Sequence, residues 1–138
     1  LLGDVLKGFL PVALARWFEA DPAIAAAAGL AAFFGHLYPV FFGFQGGKGV
    51  ATALGVLTGI HWGLGLLLAG TWLVVAKLSK ISSLAALTAA LLSPLYAYWI
   101  VHIPWITAMV TVMAGWLIFR HRDNIRRLLH GEEDRIRG

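Results

Sequence analysis

Residues 50–76 read VATALGVLTGIHWGLGLLLAGTWLVVA, an uncharged, glycine-rich run longer than one bilayer crossing needs. It is either one long tilted helix or two short helices turning near Thr58–Gly63. Its flanks decide between them. Lys48 precedes the run, and Lys77 and Lys80 follow it. One crossing would put these lysines on opposite sides of a membrane. A hairpin keeps them together, as the excess of Lys and Arg in cytoplasmic loops requires. The run therefore predicts a hairpin of short helices. At about 1.5 Å per residue each half is shorter than a full crossing, and needs local bilayer thinning or burial among its neighbours.

Four further apolar stretches surround the hairpin. Val5–Trp17 is short and contains Pro11 and Arg16. Ala23–Phe44 has the length of a crossing helix, and Asp21-Pro22 before it reads as an N-cap with proline in the first helical position. Ile81–Ile100 is span-sized, with Pro94 as a kink. Pro104–Phe119 runs directly into a charged tail. With the hairpin in place, every lysine and arginine except Arg16 falls on one side. The other side holds Arg16 at its edge, Glu19, Asp21, His61 and the neutral Val101–Ile103. The expected fold class is all-α, a polytopic membrane helical bundle with six crossings. Residues 1–138 form a single integral membrane domain, with its N-terminal end and its basic tail from residue 120 both cytoplasmic.

Composition agrees. Of 138 residues, 59% are hydrophobic and 13% charged, against about a quarter charged in soluble domains. So few polar groups cannot cover a soluble surface. The absence of cysteine excludes disulfide scaffolds and thiolate chemistry. The net charge of +4 comes with no nucleic-acid-binding motif, so it reports loop topology and no nucleic acid partner. No cleavable signal pattern is present. Small residues four apart, Gly55 with Gly59 and Ala25 with Gly29, mark close helix contacts. Trp17, Trp62, Trp99 and Trp105 sit at span ends, as an aromatic belt does.

Two polar segments could carry chemistry. In the first, Gly46, Gly47 and Gly49 surround Lys48 just before an apolar stretch. Backbone N–H groups, one fixed cation and a helix N-terminus suit a phosphate. A flexible loop with a snorkelling lysine is the plain alternative. The loop is not a Walker A motif, because Phe42 stands at its first glycine and Gly49 replaces the metal-binding Ser or Thr. In the second, Arg120-His121-Arg122-Asp123-Asn124 continues to Arg127, His130, Gly131 and Glu133. If the last span continues as a helix, His121 and Asn124 share a face with Arg120 and Arg127 nearby. Such a face can hold an anion and handle a proton, or simply bind anionic membrane lipids. Gly131 reads as the helix stop. Asp4 and Lys7 lie one turn apart at the cytoplasmic end of the first helix, as a cap and a snorkelling lysine or as part of an anion site. His36 is the only titratable group well inside a span, hence a candidate for function or for an interhelix hydrogen bond. His61 and His102 read as surface residues of the outer turns.

Other motifs are missing. There is no GxSxG elbow, no pair of carboxylates within a span, and no HExxH or Cys/His metal set. No histidine has an aspartate five residues later, so the histidine–aspartate box of the common glycerolipid acyltransferases is absent.

GHLYPVFFGFQGGKGVAT (35–52) and RHRDNIRRLLHGEE (120–133) resemble two signature motifs of the bacterial acyl-phosphate:glycerol-3-phosphate acyltransferases, the PlsY family. The start GDxxKG (3–8) is also similar to that family. The resemblance implies a multi-pass inner-membrane enzyme with its active site facing the cytoplasm. It would move a fatty acyl group from acyl phosphate to the first hydroxyl of glycerol 3-phosphate, giving lysophosphatidic acid and phosphate. It further implies that Gly46, Gly47, Lys48 and Gly49 bind the glycerol-3-phosphate phosphate; by their charge and position, Lys7 and Arg120 are expected to bind it as well. His121 and Asn124 match the family's important histidine and asparagine, here the expected catalytic pair. Glu133 matches its structurally required glutamate, and Asp4 and His36 stand behind these groups. No cofactor or metal is implied, since an acyl phosphate is already activated. The rival reading is a small anion or phosphate transporter, or a membrane assembly subunit, although internal repeats and polar midplane residues are not seen. Two departures from the family stand out. Gln45 replaces a second lysine, and the family's first span and first motif, with a serine and an arginine, have no counterpart after Leu1. Seven spans are expected once that span is counted, and these residues without it are expected to be inactive.

Overall fold

The long apolar run does break in two. The computed structural model describes residues 1–43 and 46–138, with Phe42 described in its backbone alone. Helix α3 covers Val50–Ile60 and α4 covers Trp62–Ser79. His61 makes the turn in an extended conformation, and its Nδ1 accepts from Gly63 N at 2.9 Å, capping α4. The halves are unequal. α3, at 11 residues, is about 16 Å long, roughly half a bilayer's hydrocarbon core. α4 is not the short half expected, because it continues through Lys77 to Ser79 and reaches span length with 18 residues.

The other helices are α1 (Leu2–Trp17), α2 (Pro22–Leu37), α5 (Ser82–Ile100), α6 (Pro104–Arg120) and α7 (Arg122–His130). Short connections make α1 and α2, and each neighbouring pair from α3 to α6, antiparallel, so the chain is an all-helical bundle with α3 too short to cross by itself. α3 lies inside, packed by α1, α2, α4 and α6. Thr52, Ala53, Gly55, Val56, Leu57, Gly59 and Ile60 are all buried. Burial among neighbours, one of the two options for so short a helix, is thus what the chain uses.

The small residues explain how α3 fits. At Gly55 a side chain would overlap the Val5 carbonyl, and at Gly8 it would overlap the Thr52 carbonyl. α1 and α3 therefore meet backbone to backbone, where dispersion rather than the hydrophobic effect holds helices together. Gly29 admits Met109 Sδ and Val56 Cγ1, each 2.8 Å from where its Cβ would stand. At the outer end Arg16 Nη1 donates to the Gly59 carbonyl at 3.2 Å and to that of Ile60 at 2.5 Å. These are orphan acceptors of a helix C-terminus that ends among protein.

Three boundaries differ from expectation. The second apolar stretch does not run helically to Phe44: α2 stops at Leu37 because Pro39 pushes Tyr38 out of the helical region, to φ −130°. A single 3-10 turn over Val40–Phe42 and a left-handed Gly43 then carry the chain away. The last span does not continue through the histidine motif either, since it ends at Arg120 and α7 restarts at Arg122. The third boundary is only extended, with α1 starting at Leu2 rather than Val5. α5 passes unbroken through Pro94, where the Ser93 hydroxyl donates to the Ala90 carbonyl that proline leaves without an N–H, at 2.7 Å. Asp21 caps α2 through Ala23 N at 2.8 Å, and Gly131 ends α7 in the left-handed conformation, both as read from the sequence.

Leu10, Leu14, Leu66, Leu73, Leu91, Leu95 and Val112 project outward from the helices. A soluble protein would not expose so continuous an apolar belt. The four span-end tryptophans are exposed, all at the end of the bundle opposite the lysines.

Candidate functional site

Pro39 and the turn after it return the chain to the end of α2, where the glycine loop is seated. At Gly46 a side chain would overlap the carbonyls of His36 and Leu37. At Gly47 a Cβ would stand 2.8 Å from His36 Nε2. Gly49, at φ 89°, is the N-cap of α3 and packs on Phe33, a conformation that side chains disfavour. The loop is therefore wedged against α2 rather than loose. Arg120 Nη2 holds it from the other side, donating to the carbonyls of Gly46 and Gly47 at 3.1 Å each. The Arg120 guanidinium lies 5.4 Å from the centre of the Tyr38 ring. The Tyr38 hydroxyl in turn accepts from Trp116 Nε1 at 3.1 Å.

This seating presents the start of α3. Its first turn has no acidic residue and no side-chain cap among the described residues. The N–H groups of Val50, Ala51 and Thr52 precede the first intrahelical bond, from Ala53 N to the Gly49 carbonyl. A helix N-terminus with free N–H groups attracts an anion.

From the loop a chain of hydrogen bonds crosses to the tail. Lys48 Nζ donates to Asn124 Oδ1 at 2.5 Å, and Asn124 Nδ2 donates to Glu133 Oε1 at 2.5 Å. The same carboxylate accepts from the Ser83 hydroxyl at 2.6 Å and from Arg127 Nε at 2.7 Å. Burial acts to raise the Glu133 carboxyl, but the bonds from Ser83, Asn124 and Arg127 outweigh it and lower it to about 2. Its side chain is 7% exposed. Beyond it the tail lies against the α4–α5 turn, with Ile136 N donating to the Lys80 carbonyl at 2.6 Å.

His121 is the joint between α6 and α7 and is 3% exposed. Its Nδ1 lies 2.8 Å from the Leu117 carbonyl, which assigns the proton to Nδ1 and leaves Nε2 as the acceptor. Burial pushes the imidazole below its ordinary pKa, more than its bond to Leu117 raises it. Although the helix breaks here, His121 and Asn124 still face one space.

That space is a cavity of about 720 Å³ between α3, α4, α5 and α6. Its mouth carries Lys48, Ser83, His121, Asn124 and Glu133, and its depth is apolar, with Leu57, Leu68, Trp72, Ala90, Val110 and Met113. Lys48, His121, Asn124 and Glu133 thus come together as the sequence suggests. Lys7, Asp4 and His36 form a separate group on the far side of the loop: Lys7 Nζ is 3.3 Å and His36 Nδ1 3.5 Å from Asp4 Oδ1. They do not line the cavity, and His36 meets the loop at Gly47. Gln45 lies outside the described residues. Sequence reasoning missed Ser83, whose position just after Lys77 and Lys80, on the basic side, was the available signal. Tyr38 stands within the motif 35–52, but the motif alone gives it no role; the proline after it marks the end of a helix.

A family model described as glycerol-3-phosphate acyltransferase matches residues 1–131. A glycerol-3-phosphate acyltransferase of Thioalkalivibrio sulfidiphilus is 54% identical over 99% of this chain and 67% of its own. One from Hydrogenovibrio crunogenus is also 54% identical, over 99% of this chain and 66% of its own. Among solved structures, the glycerol 3-phosphate form of PlsY, an integral membrane glycerol 3-phosphate acyltransferase, superimposes with a TM-score of 0.92 at 41% identity. That match covers 97% of this chain and 68% of PlsY. The lysophosphatidic acid form gives 0.91, also at 41% identity, over 96% and 68%. The chain thus spans about two thirds of the length of the proteins it matches. Sequence, fold and the residues gathered at the cavity mouth agree, and the chain belongs to the glycerol-3-phosphate acyltransferase family.

Proposed function

We propose that the protein carrying this chain transfers a fatty acyl group from acyl phosphate to the first hydroxyl of glycerol 3-phosphate, forming lysophosphatidic acid and inorganic phosphate. The observation that carries this is a largely apolar cavity of about 720 Å³ with Lys48, His121, Asn124 and Glu133 at its mouth, opening beside the N-terminus of α3. An amphiphile with a long chain and a phosphate head has that shape.

The loop Gly46–Gly49 and the first turn of α3 bind the glycerol-3-phosphate phosphate, with Lys48 supplying a full positive charge. His121 and Asn124 orient the reacting groups. The glycerol hydroxyl oxygen attacks the acyl carbon, the bond from that carbon to the phosphate oxygen breaks, and the hydroxyl proton ends on the phosphate product. An acyl phosphate is activated already, so holding two anionic substrates side by side and offsetting their charge supplies much of the rate. Glu133 ties α7 and the tail to α5, and Arg120 holds the loop, so that both halves of the site keep their spacing. Asp4, Lys7 and His36 steady the loop from α1 and α2.

The basic end, with the loop and α7, faces the cytoplasm of a bacterial inner membrane, where Lys and Arg concentrate. The purified full-length protein that carries this chain, given acyl phosphate and glycerol 3-phosphate, is expected to release phosphate and lysophosphatidic acid in equal amounts. No release, with saturable phosphate flux in liposomes instead, would support a transporter. Accumulation of a covalent acyl-enzyme in a burst phase would contradict direct transfer.

A further inference from the structure

We infer that the end of the bundle opposite the glycine loop carries a second anion site, one that takes a phosphate group. A pocket of about 330 Å³ opens there between α1, α2, α6 and the turn from α3 to α4. It shares no residue with the cavity beside the loop, and α3 separates the two, with its N-terminus at one and Ile60 at the other. Arg16 and His61 are its polar side chains, and none of its lining residues is acidic. The site is therefore independent of the acyl-transfer machinery.

Contacts already made by these two side chains fix which of their atoms remain. Arg16 Nη1 serves the Gly59 and Ile60 carbonyls. That holds the guanidinium in place and leaves Nε and Nη2 without a protein acceptor among the described residues. His61 Nδ1 accepts from Gly63 N at 2.9 Å, so the neutral ring carries its proton on Nε2 and donates from there. The ring also stacks on Trp62, with centroids 5.8 Å apart. A fixed guanidinium beside an imidazole N–H suits a tetrahedral oxyanion, because the planar fork pairs two of its oxygens. Asp21, the carboxylate next to Pro22, is turned onto Ala23 N as the cap of α2.

Exposed tryptophans set the depth of this pocket in the membrane. Trp17 follows Arg16, Trp62 follows His61, and Trp105 stands between Ile103 and Ile106. Such belts lie at the headgroup layer, so a lipid phosphate meets the pocket at its own level. Basic pockets between spans recognise headgroups in this way.

The chain has no cysteine, and Ala20 lines the pocket, so Ala20→Cys reports from its wall. The full-length protein, with this as its single cysteine, is placed in nanodiscs of phosphatidylglycerol or of an uncharged glycolipid. The rate of its modification by a water-soluble maleimide is then measured. Phosphatidylglycerol should slow the reaction about ten-fold relative to the glycolipid. Arg16→Met removes the guanidinium, and His61→Asp keeps a capping oxygen for α4 while setting a negative charge among the donors. Both should restore the glycolipid rate, and the retained cap keeps His61→Asp folded. Inorganic phosphate added to the glycolipid nanodiscs identifies the source. Protection by it too means a site for a free oxyanion; protection by the lipid alone means a headgroup site. Equal rates in all three conditions, or protection that survives His61→Asp, would overturn the inference. Neither result alters the expected acyl transfer, which is read by phosphate release.

Discussion

At Gly47 one methyl group is enough to test the phosphate loop. Its Cβ would stand 2.8 Å from His36 Nε2, so alanine must push the loop off α2 or the ring off Asp4. Gly47→Ala is expected to raise KM for glycerol 3-phosphate about ten-fold, the loss of one good hydrogen bond, with a smaller change in kcat; an unchanged KM would remove the loop from the site. His121 gives a pH test. Its burial lowers the imidazole pKa, so the neutral, accepting form persists below the ordinary value of about 6.5. The acid limb of kcat/KM should therefore fall below that value, and a limb at or above it would contradict the role given to Nε2. Glu133 is the opposite case in its effect on stability. Its folded pKa of about 2 lies below the ordinary carboxylate value of 4.5, so its contribution is complete above pH 4.5 and is lost as pH falls toward 2. Thermal melts should place Glu133→Gln a few degrees below wild type at neutral pH, with the two curves converging in acid. The identities of Lys48, His121, Asn124 and Glu133 were legible in the sequence as candidates. Their linkage was not, because Ser83 reaches Glu133 only through the packing of α5 against the tail.

Among the elements, α3 depends most on its neighbours. Eleven residues cannot cross a bilayer alone, and this helix is sustained by the glycine contact with α1 and by Arg16 on its last carbonyls. Arg16→Met should leave those carbonyls unsatisfied, costing about 1–3 kcal/mol. A melt lowered by several degrees, with the same KM for glycerol 3-phosphate, is the expected result. An unaltered melt would mean that the cap contributes nothing. The hairpin itself was legible, since Lys48, Lys77 and Lys80 had to share a side and His61-Trp62-Gly63 offered the turn. The end of α2 was obscured by apolar residues running on to Phe44, and Pro39 was the stronger signal. The break at His121 has no sequence breaker: Arg120 to Asn124 is compatible with helix, and the ring's bond to the Leu117 carbonyl four residues back is one that a histidine need not make.

Across the whole molecule, the few charges act as a map. Apart from Arg16, the lysines and arginines gather at one end with the loop and α7, while four exposed tryptophans ring the other. Which residues share an end of the bundle was therefore readable from charge, whereas the cavity was not, because it arises from alanine faces that meet only after four helices pack. The chain has no cysteine, so single cysteines can report topology directly. One at Lys80 should react with an impermeant maleimide only from the cytoplasmic side, and one at His102 only from the other. The most direct measurement of the central claim is phosphate release by the purified protein with both substrates, compared with Asn124→Ala. The account predicts release that requires glycerol 3-phosphate, matches lysophosphatidic acid one for one, and falls about a hundred-fold or more in the variant. Release that is independent of glycerol 3-phosphate, or unaffected by the loss of Asn124, would contradict it.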